Sequence, residues 1–221
     1  DDQLKPNKIP LSSTYHWREE RVNSLEYLAN DLASNISASQ AILQGQVKKE
    51  SRSLRKINRR FKDYDDRRRP DVEYRSTSLL CLDVDKYRDY DKSLTDQAIV
   101  EHFITKNLPS EFHHSSYVYQ LSSSYKVMKD KGLCVHLFFH LDKAMTLQQQ
   151  KNYVSSMSCE YLDLSIYSPS SIIYVAPPIF KGYASIFNPL HGSGDADEFK
   201  RVNYITKQSV HITPPSIAYS E

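Results

Sequence analysis

The sequence predicts an α+β fold, a mixed and largely antiparallel sheet with packed helices, plus a helical N-terminal segment. Apolar residues make up 39% of the 221 residues, which is enough to build a core. The apolar runs follow the order strand, helix, strand, strand, helix, strand, and the two middle strands adjoin along the chain. Adjoining strands favour an antiparallel pair, so helices packed on a largely antiparallel sheet fit this order best.

The predicted N-terminal segment, residues 1–70, is helical and basic. Apolar residues at helical spacing predict one helix over 17–33, and a second helix is expected from about Ser37 into the stretch 48–69. This stretch holds eleven Lys or Arg against four acids, and its charges recur at three- and four-residue steps that share one helix face. A solvated helix and a surface for nucleic-acid phosphates are both open. The candidate nucleic-acid-binding residues are Arg52, Arg55, Lys56, Arg59 and Arg60.

The second predicted segment, residues 71–187, begins after Pro70, which would end the basic helix. Its apolar runs predict four strands and two helices. In chain order these are a strand over 77–84, a helix over 91–108, strands over 115–121 and 133–141, a helix over 147–157 and a strand over 172–176. Residues 188–221 form a polar C-terminal extension with a short strand at 210–212, and further domains are expected to follow in the native protein.

Composition excludes several classes of protein. The formal net charge is only +2, so a nucleic-acid surface must come from how the charge is distributed. Three cysteines without a close pair argue against a disulfide framework and a structural zinc site, and favour a reducing, cytoplasmic location. No apolar run is long enough to cross a membrane, so no membrane partner is expected. The five glycines form no Walker or Rossmann phosphate loop.

Two carboxylates lie at the end of the strand predicted over 77–84. In Leu-Asp83-Val-Asp85, alternation puts both acids on the same face. Neighbouring carboxylates repel each other, and a divalent cation with a preference for oxygen ligands, Mg²⁺ or Mn²⁺, removes that conflict. A third acid, Asp163, stands in the apolar setting Tyr-Leu-Asp-Leu. The alternative for each is a solvated surface acid.

Polar residues around the strand 133–141 are candidates for contact with phosphate groups. Hydroxyls and backbone amides in the serine run 122–124 could hold phosphate oxygens. His136 is the one polar residue in the run 133–139, and its alternative is a core histidine with a satisfied partner. The candidate nucleotide-binding residues are Ser123, Ser124, Lys126, Lys131, His136 and Lys181.

Three motifs in this order resemble those of the archaeo-eukaryotic primase superfamily, especially the primase-polymerases of phages, plasmids and other mobile elements. They are LDVD at 82–85, CVH at 134–136 and LD at 162–163. The resemblance covers roughly residues 75–185 and extends to the serine run and to the phrase YLDLSIYSPSSIIYVAPPIF. The loop between the serines and His136 lacks the glycine-rich form of many relatives.

The resemblance implies that residues 71–187 are a primase-polymerase catalytic core with an RNA-recognition-like fold, and that the protein is an enzyme. Its catalytic metal ligands would be Asp83, Asp85 and Asp163, holding Mg²⁺ or Mn²⁺, and His136 would donate a hydrogen bond to a phosphate of the incoming nucleotide. Such a nucleotidyltransferase makes RNA or DNA primers by two-metal phosphoryl transfer during replication of a mobile element. The implied partners are a single-stranded DNA template, NTP or dNTP substrates, and a helicase domain or protein.

Three other functions stay open. A replication initiator could bind or nick origin DNA, although nicking enzymes of the His-hydrophobic-His class need histidines two apart, and His136 and His140 are four apart. A primase-like domain could bind DNA without catalysis. A glycosyltransferase could use the Asp-x-Asp pair, but no donor-sugar domain is evident.

Overall fold

The computed structural model of the protein describes residues 14–34, 40–58, 70–122, 125, 132–175 and 202–219. Within these ranges the strands are β1 (Thr14–His16), β2 (Ile42–Leu43), β3 (Gln46–Val47), β4 (Lys56–Asn58), β5 (Val72–Glu73), β6 (Ser76–Tyr87), β7 (Tyr117–Leu121), β8 (Leu133–Thr146), β9 (Ile172–Ile173) and β10 (Val202–Ile205). The helices are α1 (Leu25–Ser34), α2 (Asp96–Asn107), α3 (Ser110–His113) and α4 (Leu147–Ser156), with short 3₁₀ turns at Lys49–Ser51, Leu164–Ile166 and Ser216–Tyr219.

The main sheet has four strands in the order β10-β7-β8-β6, and each neighbouring pair is antiparallel. The middle of the long strand β6 and most of the long strand β8 are apolar and buried, as the runs TSLLCLDV and LCVHLFFHL predict. The α+β class and the antiparallel pairing of the two adjoining strands are therefore confirmed. Residues directly opposite one another across three strands share a face of the sheet.

Three helices cover one face of the main sheet. The hydroxyl of Tyr117 on β7 donates to Glu101 of α2 at 2.8 Å. The ring of Phe139, opposite Tyr117 on β8, lies 4.9 Å from that of Phe112 in α3. Gln150 of α4 donates to backbone carbonyls of β6. Both α2 and α4 begin with a threonine N-cap, at Thr95 and Thr146. Helix α4 starts at its predicted position, whereas α2 starts five residues after the predicted one.

The predicted helix over 17–33 is correct only in its second half. The hydroxyl of Ser24 accepts from the backbone N–H of Tyr27, and α1 begins directly after this cap. Trp17 lies outside the helix, where its indole N–H donates to the carbonyl of Leu54 at 3.0 Å. The buried residues of α1, among them Leu28 and Leu32, join the same hydrophobic core as β6, β7 and β8.

A small lobe is formed by β1 paired with β4 and β3 paired with β5, both antiparallel. Its core consists of Val47, Ile57 and Val72, with Trp17 packed against them. The carboxylate of Asp71 links two turns of this lobe. It accepts hydrogen bonds from the Ser51 hydroxyl and from the backbone N–H of Asn58, at 2.7 Å each.

The helix predicted over the basic stretch is wrong for its described part, 48–58, which forms a 3₁₀ turn and β4. The helical spacing of charges lacked an apolar stripe to go with it, and burial of such a stripe supplies most of a helix's stability in a protein. In this segment only Ile57 is a buried apolar side chain, and it packs in the core of the small lobe. Residues 59–69 lie outside the described part.

The small lobe is attached to the segment that follows Asp163. Strand β2 pairs antiparallel with β9, and the amides of Gln44 and Gly45 donate to the carbonyls of Ser171 and Pro169. A Cβ at Gly45 would lie 2.6 Å from the Pro169 oxygen, so glycine is required for this approach.

The C-terminal described segment supplies β10, an edge strand that was not predicted from the sequence. The strand predicted at 210–212 is instead an isolated bridge, in which Ile212 lies beside Leu141 in parallel orientation. The boundary between 187 and 188 lies outside the described residues. None of the helices described here has the length and apolar character to cross a membrane.

Candidate functional site

The site is built on the face of the main sheet opposite α2. Asp83 on β6 is directly opposite His136 on β8, which in turn is opposite Gln120 on β7. The three residues therefore form one row across three strands. Asp83 exposes 27% of its side chain, so the row is buried at His136 and opens to solvent at the acid.

Asp163 reaches this row by backbone pairing. Val84 and Leu162 form an isolated antiparallel bridge, in which the Asp163 amide donates to the Asp83 carbonyl and the Asp85 amide to the Tyr161 carbonyl, both at 2.9 Å. Residues directly opposite in an antiparallel pair carry their side chains on the same face, with Cβ atoms roughly 5 Å apart. The structure thus brings Asp83, Asp85 and Asp163 to one edge of the sheet.

Each acid also has a protein partner of its own. The Cys134 thiol donates to Asp85 Oδ1 at 2.9 Å, and Lys86 Nζ lies 3.8 Å from Asp85 Oδ2. Asp163 caps the 3₁₀ turn that follows it, since its two oxygens accept from the amide and the hydroxyl of Ser165, both at 2.8 Å. The carboxylates are close through the backbone but turned toward different partners.

His136 is buried, and burial lowers its pKa to about 4. It is therefore neutral near pH 7, and the 3.6 Å separation between His136 Nε2 and Asp83 Oδ1 is not a contact between two full charges. His136 Nδ1 lies 3.4 Å from Gln120 Oε1. The core-histidine alternative is met in part, since the ring is buried and has a polar neighbour.

The orientation of Gln120 indicates which nitrogen of neutral His136 carries the hydrogen. The Gln120 amide nitrogen donates to the Val175 carbonyl at 2.5 Å, so its oxygen is the atom that faces His136. The hydrogen of neutral His136 then belongs on Nδ1, and Nε2 presents a lone pair toward Asp83. Two acceptors face each other across this gap, an arrangement that a proton or a cation satisfies.

Tyr167 is a buried residue next to the site. Its hydroxyl donates to the Cys81 carbonyl at 2.5 Å, and burial raises its pKa well above the ordinary value, with further contributions from Cys81, Asp83 and Asp163. Neither this tyrosine nor Gln120 was predicted from the sequence. Gln120 carries a usable signal, since it is the only amide side chain in the strand predicted over 115–121; Tyr167 carries none among sixteen tyrosines.

Several predicted site residues lie outside the described part of the chain. These are Ser123, Ser124, Lys126, Lys131, Lys181, Arg59 and Arg60. Arg52, Arg55 and Lys56 are described, and all three are exposed on the small lobe. Arg52 makes a long, exposed ion pair with Glu19 at 3.8 Å.

The chemistry of the acids fits a hard divalent cation, because carboxylate oxygens are the ligands that Mg²⁺ and Mn²⁺ prefer. The carboxylates are not oriented as a metal centre. Among the described residues, no group of three or more His, Cys, Asp or Glu is arranged to hold a metal ion. A carboxylate oxygen has two lone pairs, so an oxygen bound to Ser165 or Cys134 can still accept a second partner.

Comparison with known proteins does not identify a relative. No protein-family model matches the chain, and no curated protein and no solved structure matches it either.

Proposed function

We propose that this chain is the catalytic domain of a primase-polymerase, a metal-dependent nucleotidyltransferase acting on a nucleic-acid template. The observation that supports it best is the bridge between Val84 and Leu162, which sets Asp163 opposite Asp83, on the face that Asp85 shares. Acids that are far apart along the chain thus share one sheet edge. The order of the three motifs is that of the primase superfamily, as their resemblance implies.

In this proposal Asp83, Asp85 and Asp163 would hold Mg²⁺ or Mn²⁺. The bound ions supply charge neutralisation at the phosphates and activation of the attacking hydroxyl. The residues of the chain orient the carboxylates: Cys134 fixes Asp85 and Ser165 fixes Asp163. Both donors are neutral, so they orient the acids without cancelling the negative charge that attracts a cation.

His136 would act at the same place. Its Nε2 points toward Asp83, while Gln120 fixes the ring from the other side. Contact with a cation would use the lone pair on Nε2, whereas donation to a phosphate oxygen, as the superfamily resemblance implies, requires a hydrogen there. The burial of the ring makes the position of Nε2 well defined in either case.

The small lobe is the proposed template surface. Arg52, Arg55 and Lys56 are exposed on it, and β2 joins it to β9, which follows Asp163 by nine residues. A template strand would bind along these cations. Its phosphates would be bound largely without sequence preference, through release of counterions.

The test is a primer-free synthesis assay on single-stranded DNA, with NTPs and dNTPs compared in Mg²⁺ and in Mn²⁺. Wild type should synthesise products, and Asp83→Ala and Asp85→Ala should not. Asp89→Asn is the matched control, because Asp89 is an exposed acid two residues beyond β6 that pairs with Lys106. Product formation by Asp83→Ala at the wild-type rate would refute the proposal.

A DNA-binding domain without catalysis is the second candidate, favoured by the unformed three-ligand group among the described residues. Thermal unfolding with Mn²⁺ and a nucleoside triphosphate separates the two. A catalytic domain gains stability from ligands that bind the folded state, and a binding domain without the site does not.

A further inference from the structure

Lys86 has a backbone conformation that is unusual for its residue type. Its φ is 64°, in the left-handed region that side-chain-bearing residues rarely adopt. The other described non-glycine residue of this kind, Ser158, follows the end of α4, where left-handed backbone is common. Lys86 is in a strand, so no helix end accounts for its conformation.

The strain comes from a bulge in β6. Val84 pairs with Val135, and the next pair joins Tyr87 to Leu133, so two residues of β6 face the single Cys134. A left-handed residue in such a bulge is normally glycine, which adopts this φ at no steric cost. Here the position carries a lysine, and the fold bears the strain of its side chain.

The bulge places the lysine cation beside Asp85. Lys86 Nζ lies 3.8 Å from Asp85 Oδ2, with 68% of the side chain exposed. Since the pair is solvent-exposed, it contributes little to folding, and stability does not explain the lysine. The ammonium places a positive charge beside an acid that would otherwise repel an approaching anion.

We propose that Lys86 binds the phosphate chain of the incoming nucleoside triphosphate. This inference rests on the proposed function and names a phosphate contact among the described residues. A lysine is a point charge on a flexible stem, so it can leave Asp85 for a phosphate oxygen when substrate arrives. Strained backbone next to reacting groups is a recurrent feature of functional sites.

The experiment separates the backbone from the charge. Lys86→Gly removes the charge and relieves the strain, Lys86→Asn removes the charge at a position that asparagine tolerates, and Lys86→Arg keeps the charge. The control is Lys92→Asn, an exposed lysine in the turn after β6. Calorimetry measures the binding of ATP and of inorganic triphosphate, each with Mn²⁺, and melting temperatures are recorded without ligand.

We expect Lys86→Gly and Lys86→Asn to bind both probes about tenfold more weakly than wild type, as expected when one charge-assisted hydrogen bond is removed. Lys86→Arg and Lys92→Asn should stay within about twofold. Lys86→Gly should also melt at a higher temperature than wild type. Weaker binding by a more stable variant cannot result from misfolding.

The outcomes distinguish this inference from the proposed function. If wild type incorporates nucleotides and Lys86→Asn binds triphosphate as tightly as wild type, the role of Lys86 is refuted and the polymerase proposal stands. If wild type neither binds triphosphate with Mn²⁺ nor incorporates nucleotides, both are refuted. A lower melting temperature for Lys86→Gly would refute the strain argument.

Discussion

Asp83 Oδ1 and His136 Nε2 lie 3.6 Å apart across β6 and β8, and both are acceptors when neutral His136 carries its hydrogen on Nδ1. Neither can donate to the other in that state. An amide at position 83 would supply the missing donor. This relationship leads to a prediction in which stability and activity change in opposite directions.

Asp83→Asn should remove nucleotide incorporation and leave the metal-free protein at least as stable as wild type. The asparagine Nδ2–H can donate to His136 Nε2, and a new hydrogen bond contributes about 1 kcal/mol. Urea unfolding in EDTA measures the free energy, and the primer synthesis assay measures activity. A clearly less stable Asp83→Asn protein would contradict the assigned tautomer.

Cys134→Ala should raise the Mn²⁺ concentration needed for half-maximal incorporation, by about tenfold. The thiol donates to Asp85 Oδ1, and partners that orient a metal ligand typically contribute about 10–100-fold to affinity or activity. We take the lower end because Asp85 is 42% exposed. Cys134→Ser keeps a donor and should remain near wild type. An equal rise in the required Mn²⁺ concentration in both variants would point to packing instead.

Replacing Arg52, Arg55 and Lys56 together by alanine should weaken binding of single-stranded DNA and flatten its salt dependence. The slope of log K against log salt falls by about 0.7 for each phosphate of a single strand that the protein no longer neutralises. Fluorescence anisotropy over a salt series gives both quantities. A double variant of the exposed Lys92 and Lys151 is the control. An unchanged slope in the triple variant would exclude the small lobe as the template surface.

His140→Gln should reduce the decrease in stability that occurs in mild acid. Burial, and then the neighbouring His211 with its ring centroid 4.6 Å away, lower the pKa of His140. Ser78 Oγ, at 3.2 Å from Nε2, is its other close polar neighbour. The unfolded chain therefore binds the proton more readily, so this contribution is complete above about pH 6.5 and disappears as the pH falls below it.

The measurement compares the free energy of unfolding at about pH 7.5 and about pH 5.5 for wild type and variant. The drop should be smallest in His140→Gln and intermediate in His211→Gln, which removes only the second cause. Identical drops in all three proteins would show that this histidine pair does not govern acid sensitivity.

The parts of the fold that burial determines could be predicted from the sequence. The run 77–84 and the run 133–141 have few polar residues and became β6 and β8, and apolar residues at helical spacing located α2 and α4. Strand β10 was missed because it has only four residues, three of them half-buried, and so short a segment carries little periodic signal. The small lobe was missed because its strands have two or three residues.

The site was likewise predictable only in part. Strand alternation predicted that Asp83 and Asp85 share a face, but the row from Asp83 through His136 to Gln120 depends on register, which the pairing of distant strands sets. The bulge at Lys86 could not be foreseen, since no glycine marks it. The partner of Asp163, Ser165, is two residues away, and the Asp-x-Ser spacing of a capped turn could have revealed it.

The attachment of Asp163 has a consequence for heat sensitivity. Two backbone hydrogen bonds at the margin of β6 join it to the sheet, whereas many more join β6 to β8. Fraying of this short pairing requires far less free energy than melting the core. On gradual warming, catalysis should therefore fail reversibly several degrees before the protein unfolds, and the amides of Asp85 and Asp163 should exchange hydrogen well ahead of those in the middle of β8.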